Sequence, residues 1–284
     1  GRQITFRRAV VATGSVPATP ELPGLEGATV VTSDSVWELE ELPERLLVVG
    51  GGTIGCELGQ AFGRLGSAVT VVELGPRLLS NEDPDAAQVV TDALIADGID
   101  VRTETAVDAD LVAASDVVLL AVGRTAGTEG LDLGAAGVEL SESGHVTVDR
   151  RLRTSNPRIW AAGDVTGHPP FTHLAGVHGS LAATNAVLGL RRTVDLSAVP
   201  RVVFTRPEVA AVGVDRPGEQ HTARTVQHSE VDRAVAEHDV SGFSRLVLDR
   251  RGRVVGGCVV GPRAGESLAE VTLAVQQGLR ARDL

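Results

Sequence analysis

The stretch LLVVGGGTIGCELGQAFGRLGSAVTVVE, Leu46–Glu73, decides the fold. Leu46–Val49 is an all-apolar run, as expected for a strand buried on both faces of a parallel sheet. It leads directly into Gly50, Gly51 and Gly52. The spacing Gly50-x-Gly52-x-x-Gly55 lets the backbone turn tightly, lets it approach a pyrophosphate with no Cβ in the way, and packs the next helix on the strand. That helix is expected to begin near Thr53 and Ile54, with its unpaired N–H groups facing the phosphates. Ile54, Leu58, Ala61, Phe62 and Leu65 recur at helical spacing, and Gly66 is a natural stop. Ala68–Val72 reads as a second strand that ends at Glu73, where a carboxylate can accept both ribose hydroxyls. Strand, glycines, helix, strand and terminal acid in this order predict a dinucleotide site. An ordinary Gly-rich turn would leave Glu73 unexplained.

Glu73 would repel a 2′-phosphate, so the acid favours NAD over NADP, which usually needs an arginine there. Arg77, four residues on, reads equally well as a solvated surface charge or as a phosphate contact.

The 284 residues are enough for two or three domains, and 43% apolar with 22% charged residues is ordinary for a soluble globular chain. A net charge of −11 argues against a nucleic-acid partner. No apolar run reaches the length of a membrane span and no signal-peptide pattern opens the chain, so a cytoplasmic setting without membrane association is expected. Cys56 and Cys258 are too few and too far apart for a disulfide framework or a zinc site. Cys56 lies in an apolar helix pattern and reads as inert packing. The Gly1 start, the absence of Met and an opening apolar strand with no partner before it read as part of a longer protein.

Elsewhere Ala9–Ala12 reads as a strand ending at Thr13-Gly14, and Val36–Leu42 as a short helical segment. Asp85–Ala96 is an amphipathic helix, followed by strands Ile99–Arg102 and Val117–Val122. Strands are expected at His145–Val148 and Ile159–Ala162, then a helix rich in Ala and Gly at Leu174–Leu188. Beyond Pro200 come strands Val202–Phe204, Ser244–Leu248 and Val254–Val260 and a helix Glu266–Leu279, an α+β pattern, with Asp215–Ser229 as a brief linker.

Several segments together resemble one family, the flavin-dependent pyridine nucleotide-disulfide oxidoreductases, which include dihydrolipoamide dehydrogenase and mercuric reductase. They are VVATGS (Val10–Ser15), GGGTIGCELG (Gly50–Gly59), AVGR (Ala121–Arg124), RIWAAGDVTG (Arg158–Gly167), FTHLA (Phe171–Ala175), FTRPEVAAVG (Phe204–Gly213) and GPRAGESLAEVTLA (Gly261–Ala274). The resemblance implies an α/β fold with a Rossmann-type NAD-binding domain, residues 44–124, inserted in a partial FAD-binding domain, residues 1–43 and 125–197. A truncated α+β dimerisation domain, residues 198–284, follows and implies a homodimer through residues 200–284. FAD and NAD are the implied cofactors, and a small molecule or a disulfide the implied substrate. Gly50, Gly51, Gly52, Thr53, Ile54, Gly55, Glu73, Val107 and Gly123 match positions lining the NAD site. Thr13, Gly14, Ser15, Asp164, Thr172 and His173 match positions meeting FAD. Glu57 resembles the glutamate beside the nicotinamide and is the candidate catalytic residue.

Departures accompany the matches. The family's earlier GxGxxG, its CxxxxC redox pair and its C-terminal His-Pro do not occur in these residues, and Thr53 stands where many members carry an aromatic. The expected activity is transfer of hydride between nicotinamide and flavin and onward to a disulfide or similar acceptor, with little turnover by this chain alone. A flavin-free NAD-binding sensor or regulatory module, and a cofactor-free structural partner, are the alternatives. Glu73 weighs against a glutathione reductase, leaving lipoamide-type and mercuric-type acceptors undivided.

Overall fold

The structure, a computed structural model, describes residues 4–284, so the first three residues of the expected flavin segment lie outside it. By internal contacts the described residues form two compact units, 4–16 with 124–196 and 17–123 with 197–284. The first opens with β1 (Ala9–Val11) and β2 (Ser15–Pro17), whose last residue already counts with the second unit.

The second unit carries the sheet that the glycine-rich stretch predicts. β3 (Val30–Thr32), β4 (Arg45–Val49), β5 (Ala68–Val72), β6 (Asp100–Arg102) and β7 (Val117–Leu120) lie parallel in the order β3-β7-β4-β5-β6. β4 and β7 are buried almost throughout, as unbroken apolar runs covered on both faces must be. Leu46, Val48 and Val71 face α1 (Thr53–Leu65) and α2 (Pro84–Ala96) in one core. Leu47, Val49 and Leu120 face α3 (Ala109–Ala113) and the segment containing Leu22 and Leu25. The Val36–Leu42 pattern yields only a turn of 3₁₀ helix, Val36–Glu38, and α3 occupies the short Asp108–Ser115 connection.

The chain returns to the first unit with β8 (Arg124–Ala126), paired with β2, and β9 (Ile159–Ala161), parallel to β1. α4 (Thr172–Leu188) follows. The expected strand at His145–Val148 is only an isolated bridge, Leu140 to Val146. α4 buries Leu174, His178, Leu181, Ala182, Asn185 and Ala186, a helical stripe in which two polar residues stand among apolar ones.

Back in the second unit, β10 (Arg201–Val203), β11 (Glu208–Gly213), β12 (Thr222–Gln227), β13 (Phe243–Leu248) and β14 (Val254–Gly261) form an antiparallel sheet ordered β10-β11-β14-β13-β12. The supposed linker therefore holds edge strand β12, whose TARTVQ is too exposed to carry an apolar period. α5 (Asp232–Ala236) is a short exposed turn, and α6 (Ala264–Gln277) packs Leu268, Val271 and Ala274 on one sheet face. The other face meets α1 and α2 through Val209, Ala211, Phe243 and Val260.

This seam is also polar. Gln60, 3% exposed, accepts from the Arg206 backbone N–H at 2.7 Å and donates to the Arg206 carbonyl at 2.9 Å. Arg245 joins Asp83 at 2.8 Å and Asp85 at 2.6 Å, while Asp83 also caps α2. Removing one side of a buried hydrogen bond leaves the partner unsatisfied. Gln60→Ala is expected to lower unfolding free energy by about 2 kcal/mol, read as a lower denaturant midpoint. An unchanged midpoint would show that the Gln60 pairing contributes nothing.

Candidate functional site

Three glycines shape the mouth of the parallel sheet, each for a different reason. A Cβ on Gly50, whose φ is +105°, would lie 2.5 Å from the Ala121 carbonyl oxygen. A Cβ on Gly55 would lie 1.9 Å from the Gly50 carbonyl oxygen. Gly50 is required by the approach of the turn to the backbone just beyond β7, and Gly55 by the packing of α1 against the end of β4. Gly52 has nothing within 4 Å of its Cβ position and an ordinary φ of −74°, so packing does not require it. It faces open space at the N-cap of α1.

That N-cap is bare. Asp83 caps α2 and Asp108 caps α3 through their carboxylates, whereas Gly52 offers α1 no side chain. The first N–H groups of a helix have no intrahelical acceptor, and with the helix dipole they attract an anion. Thr53 is exposed there, and Ile54 is half-buried.

Glu73 is held across the turn, its Oε2 accepting from Gly51 N–H at 2.7 Å and its Oε1 from Gly75 N–H at 2.7 Å. Each carboxylate oxygen keeps a second acceptor direction. Val107, half-buried against the Leu47 and Leu120 core, and exposed Gly123 (φ +116°) lie just beyond β6 and β7, at the same carboxyl edge. Arg77 is neither solvated nor presented to a phosphate. Its guanidinium donates to the carbonyls of Leu79 at 2.8 Å, Ser80 at 2.6 Å and Glu82 at 3.1 Å, stapling its own loop.

Glu57, the candidate catalytic residue, sits on α1 and accepts from Phe204 N–H at 2.7 Å. Burial pushes its carboxyl above the usual carboxylate range, and the Phe204 bond opposes this. Cys56 is fully buried and its thiol is pushed up to about 12, chiefly by burial, which makes it a packing residue.

The first unit gathers a separate group. Ser15 donates to the Asp164 carboxylate at 2.7 Å, and Arg124 donates to the Ser15 hydroxyl and carbonyl, both at 2.8 Å. The Gly14 carbonyl accepts from Gly127 N–H at 2.9 Å. Thr13, Thr172 and His173 are exposed, and the His173 ring stacks on Phe171. Thr13, Gly14, Ser15 and Asp164 are thus drawn together around the β1 and β9 strand ends.

A histidine pair went unread in the sequence. His178, fully buried, accepts from Gly163 N–H at Nδ1 (3.3 Å), so its neutral ring carries the proton on Nε2, facing His168 Nδ1 at 3.4 Å. The Gly163 turn precedes Asp164, so His178 braces the loop that presents this carboxylate. The available signal was helical spacing: His178 falls on the apolar stripe of α4.

The parallel sheet, glycine turn and acid are those of dinucleotide-binding α/β proteins. Residues 1–179 match the family described as pyridine nucleotide-disulphide oxidoreductase, and residues 199–284 match its dimerisation domain. The chain is 38% identical over 298 residues to a mercuric reductase of Streptomyces lividans, covering 97% of this chain and 63% of the relative. Against a mercuric reductase of Bacillus cereus the identity is 38% over 307 residues, covering 100% of this chain and 49% of the relative. The HOCl-induced flavoprotein disulfide reductase RclA of Escherichia coli superposes with a TM-score of 0.86 at 28% identity, covering 96% of this chain and 68% of that one. The chain belongs to the pyridine nucleotide-disulphide oxidoreductase family, a family of oxidoreductases. Its fold is the expected one, a parallel dinucleotide-type sheet followed by an α+β dimerisation domain. It spans 63% and 49% of the lengths of these two mercuric reductases. Among the described residues no helix is long and apolar enough to cross a membrane, and no group of metal-binding side chains occurs.

Two outcomes follow from this geometry. Gly55→Ala forces a side chain into backbone and is expected to destabilise by about 3 kcal/mol. Gly52→Ala is expected to cost no more than about 1 kcal/mol and, if the turn receives a diphosphate as the glycine spacing predicts, to weaken dinucleotide binding by about tenfold or more. Thermal unfolding with a reduced-nicotinamide titration separates the two, and equal effects of both substitutions on stability would contradict the assignment.

A further outcome concerns pH. Burial first, then the neighbouring His168, hold His178 down at about 4 against an ordinary 6.5. A folded value below the unfolded one means that the unfolded chain takes up the extra proton. The contribution is therefore fully present above pH 6.5 and is lost as pH falls toward about 4. His178→Asn keeps an acceptor for Gly163 and is expected to flatten the unfolding free energy over that window. A variant curve parallel to the wild type would exclude this role.

Proposed function

We propose that this chain is the nicotinamide-binding, flavin-contacting and dimerising portion of a reductase that moves a hydride from NADH to FAD and its electrons on to a disulfide or similar acceptor. One observation carries the reading: an uncapped helix N-terminus beneath a glycine that packing does not need, with the Glu73 carboxylate accepting directly from Gly51 N–H of the same turn. A diphosphate would meet N–H groups of Gly52, Thr53, Ile54 and Gly55, and the ribose would meet Glu73, with Gly50 and Gly51 shaping the turn and Val107 and Gly123 forming the margin.

NAD is the favoured nucleotide because the Glu73 carboxylate repels a 2′-phosphate and Arg77, four residues on, is committed to its own loop. Glu57 is assigned to the nicotinamide end. Thr13, Gly14, Ser15, Asp164, Thr172 and His173 are assigned to FAD, where Asp164, already an acceptor for Ser15, can accept a hydrogen bond from a ribityl hydroxyl. Bound FAD would supply the two-electron chemistry, and the protein would supply orientation and electrostatics. Residues 44–124 are assigned to the nicotinamide nucleotide, 1–43 and 125–197 to the flavin, and 198–284 to a homodimer contact. The relatives named mercuric reductase and flavoprotein disulfide reductase support the reaction class, and the acceptor stays at the level of that class.

The test is a fluorescence titration of the folded chain with NADH and NADPH. Saturable NADH binding is expected, with NADPH weaker by about tenfold or more, and Glu73→Gln narrowing the ratio by relieving the 2′-phosphate repulsion. Failure of a folded sample to bind NADH, or equal binding of both nucleotides, would overturn the assignment. With FAD added, NADH-driven dye reduction by this chain alone is expected to be slight.

A further inference from the structure

Residues 4–16 and 124–196 hold nine arginines against seven carboxylates, in a chain whose net charge is −11 and which contains no lysine. Four of these arginines, Arg8, Arg151, Arg153 and Arg191, line one pocket of about 240 Å³ together with Trp160 and Asn185, and no lining residue is acidic. We propose that this pocket is a binding site for a small, multiply charged oxyanion of the diphosphate class, separate from the residues assigned to either nucleotide.

The walls are fixed by the fold. Asn185 is 3% exposed and donates to the carbonyls of Arg151 at 3.1 Å and Arg192 at 2.8 Å, while accepting from Arg192 N–H at 3.0 Å. This ties the end of α4 to the Arg151 loop. Arg8 donates to the carbonyls of Ala186 and Val187, capping the same helix and keeping its charge at the rim. Arg153 donates to the Pro157 carbonyl at 3.2 Å and lies 6.0 Å over the Trp160 ring.

Two of the charges are unspent. Among the described residues the guanidinia of Arg151 and Arg191 have no hydrogen-bond or ion-pair partner. Asp149, the nearest acid in sequence, instead accepts from the backbone N–H groups of Arg151 at 2.8 Å and Arg153 at 3.0 Å. Leaving like charges around one concavity is unfavourable without an anion, and a guanidinium fork matches phosphate oxygens in pairs. The volume lies below the roughly 300 Å³ at which pockets for drug-sized ligands begin, which selects an oxyanion group over a whole nucleotide.

Calorimetric titration of the full chain with inorganic diphosphate tests the site, comparing wild type with Arg151→Gln/Arg191→Gln, whose side chains support no other contact. One saturable site is expected, weakened on the order of tenfold or more in the double variant, two charge-assisted contacts being lost. Raising salt from about 50 to about 200 mM is expected to weaken it as well. Repeating the titration with NADH present distinguishes this pocket from the glycine-rich turn. Diphosphate at the arginine pocket persists with NADH and falls with the arginine changes; diphosphate at the turn does the reverse. No saturable heat, or equal affinity in the double variant, overturns the proposal whether or not NADH binds.

Discussion

The approach of Gly55 to the carbonyl of Gly50 is the constraint on which the dinucleotide half depends. With 1.9 Å between that oxygen and the place a Cβ would occupy, any side chain there would lift α1 off the end of β4. Lifting it would carry Gly52 and the bare helix N-terminus away from Glu73, whose carboxylate is joined to the turn through Gly51. The shape of the turn is therefore a consequence of close packing, with the exposed Gly52 at its centre free of any packing role.

The same helix transmits its position to the antiparallel sheet. Glu57 and Gln60, one turn apart on α1, accept from the backbone N–H groups of Phe204 and Arg206. Arg64 and Gln60 both donate to Asp97 at 2.8 Å, which closes the α2 end of the seam. Backbone groups at β10 thus satisfy side chains of the helix that starts at the glycine turn. Displacing α1 would leave the buried Gln60 amide without its partners and break the Glu57–Phe204 bond, so packing and polar satisfaction favour one placement.

What the sequence made legible follows the physics of each segment. The strands β4, β5 and β7 are buried on both faces, so their apolar runs stood out, and the Gly50–Gly55 spacing and Glu73 were readable because each answers a local steric or charge requirement. β12 was not readable, since TARTVQ lies at a sheet edge with its residues in water and needs no apolar alternation. His178 and Asn185 were missed for the opposite reason. They are buried where the helical period expects apolar residues, and their partners, Gly163 and the Arg151 and Arg192 backbones, are remote in sequence. The Ser15, Arg124 and Asp164 group was quoted in three separate motifs, and only the fold brings the three together.

Arg77 shows how a charge can be removed from a specificity argument without being neutralised. A cation four residues beyond the acid that ends the second strand of a dinucleotide-type unit would ordinarily weaken the case against a 2′-phosphate. Here its guanidinium donates to the carbonyls of Leu79, Ser80 and Glu82, and Arg216 converges on the same Ser80 and Glu82 oxygens. To reach a phosphate, Arg77 would have to abandon these carbonyls and the loop that places Leu78 against Gly51. Arg77 is therefore committed to the loop behind the turn, and under the nucleotide assignment proposed above it does not offset the charge of Glu73.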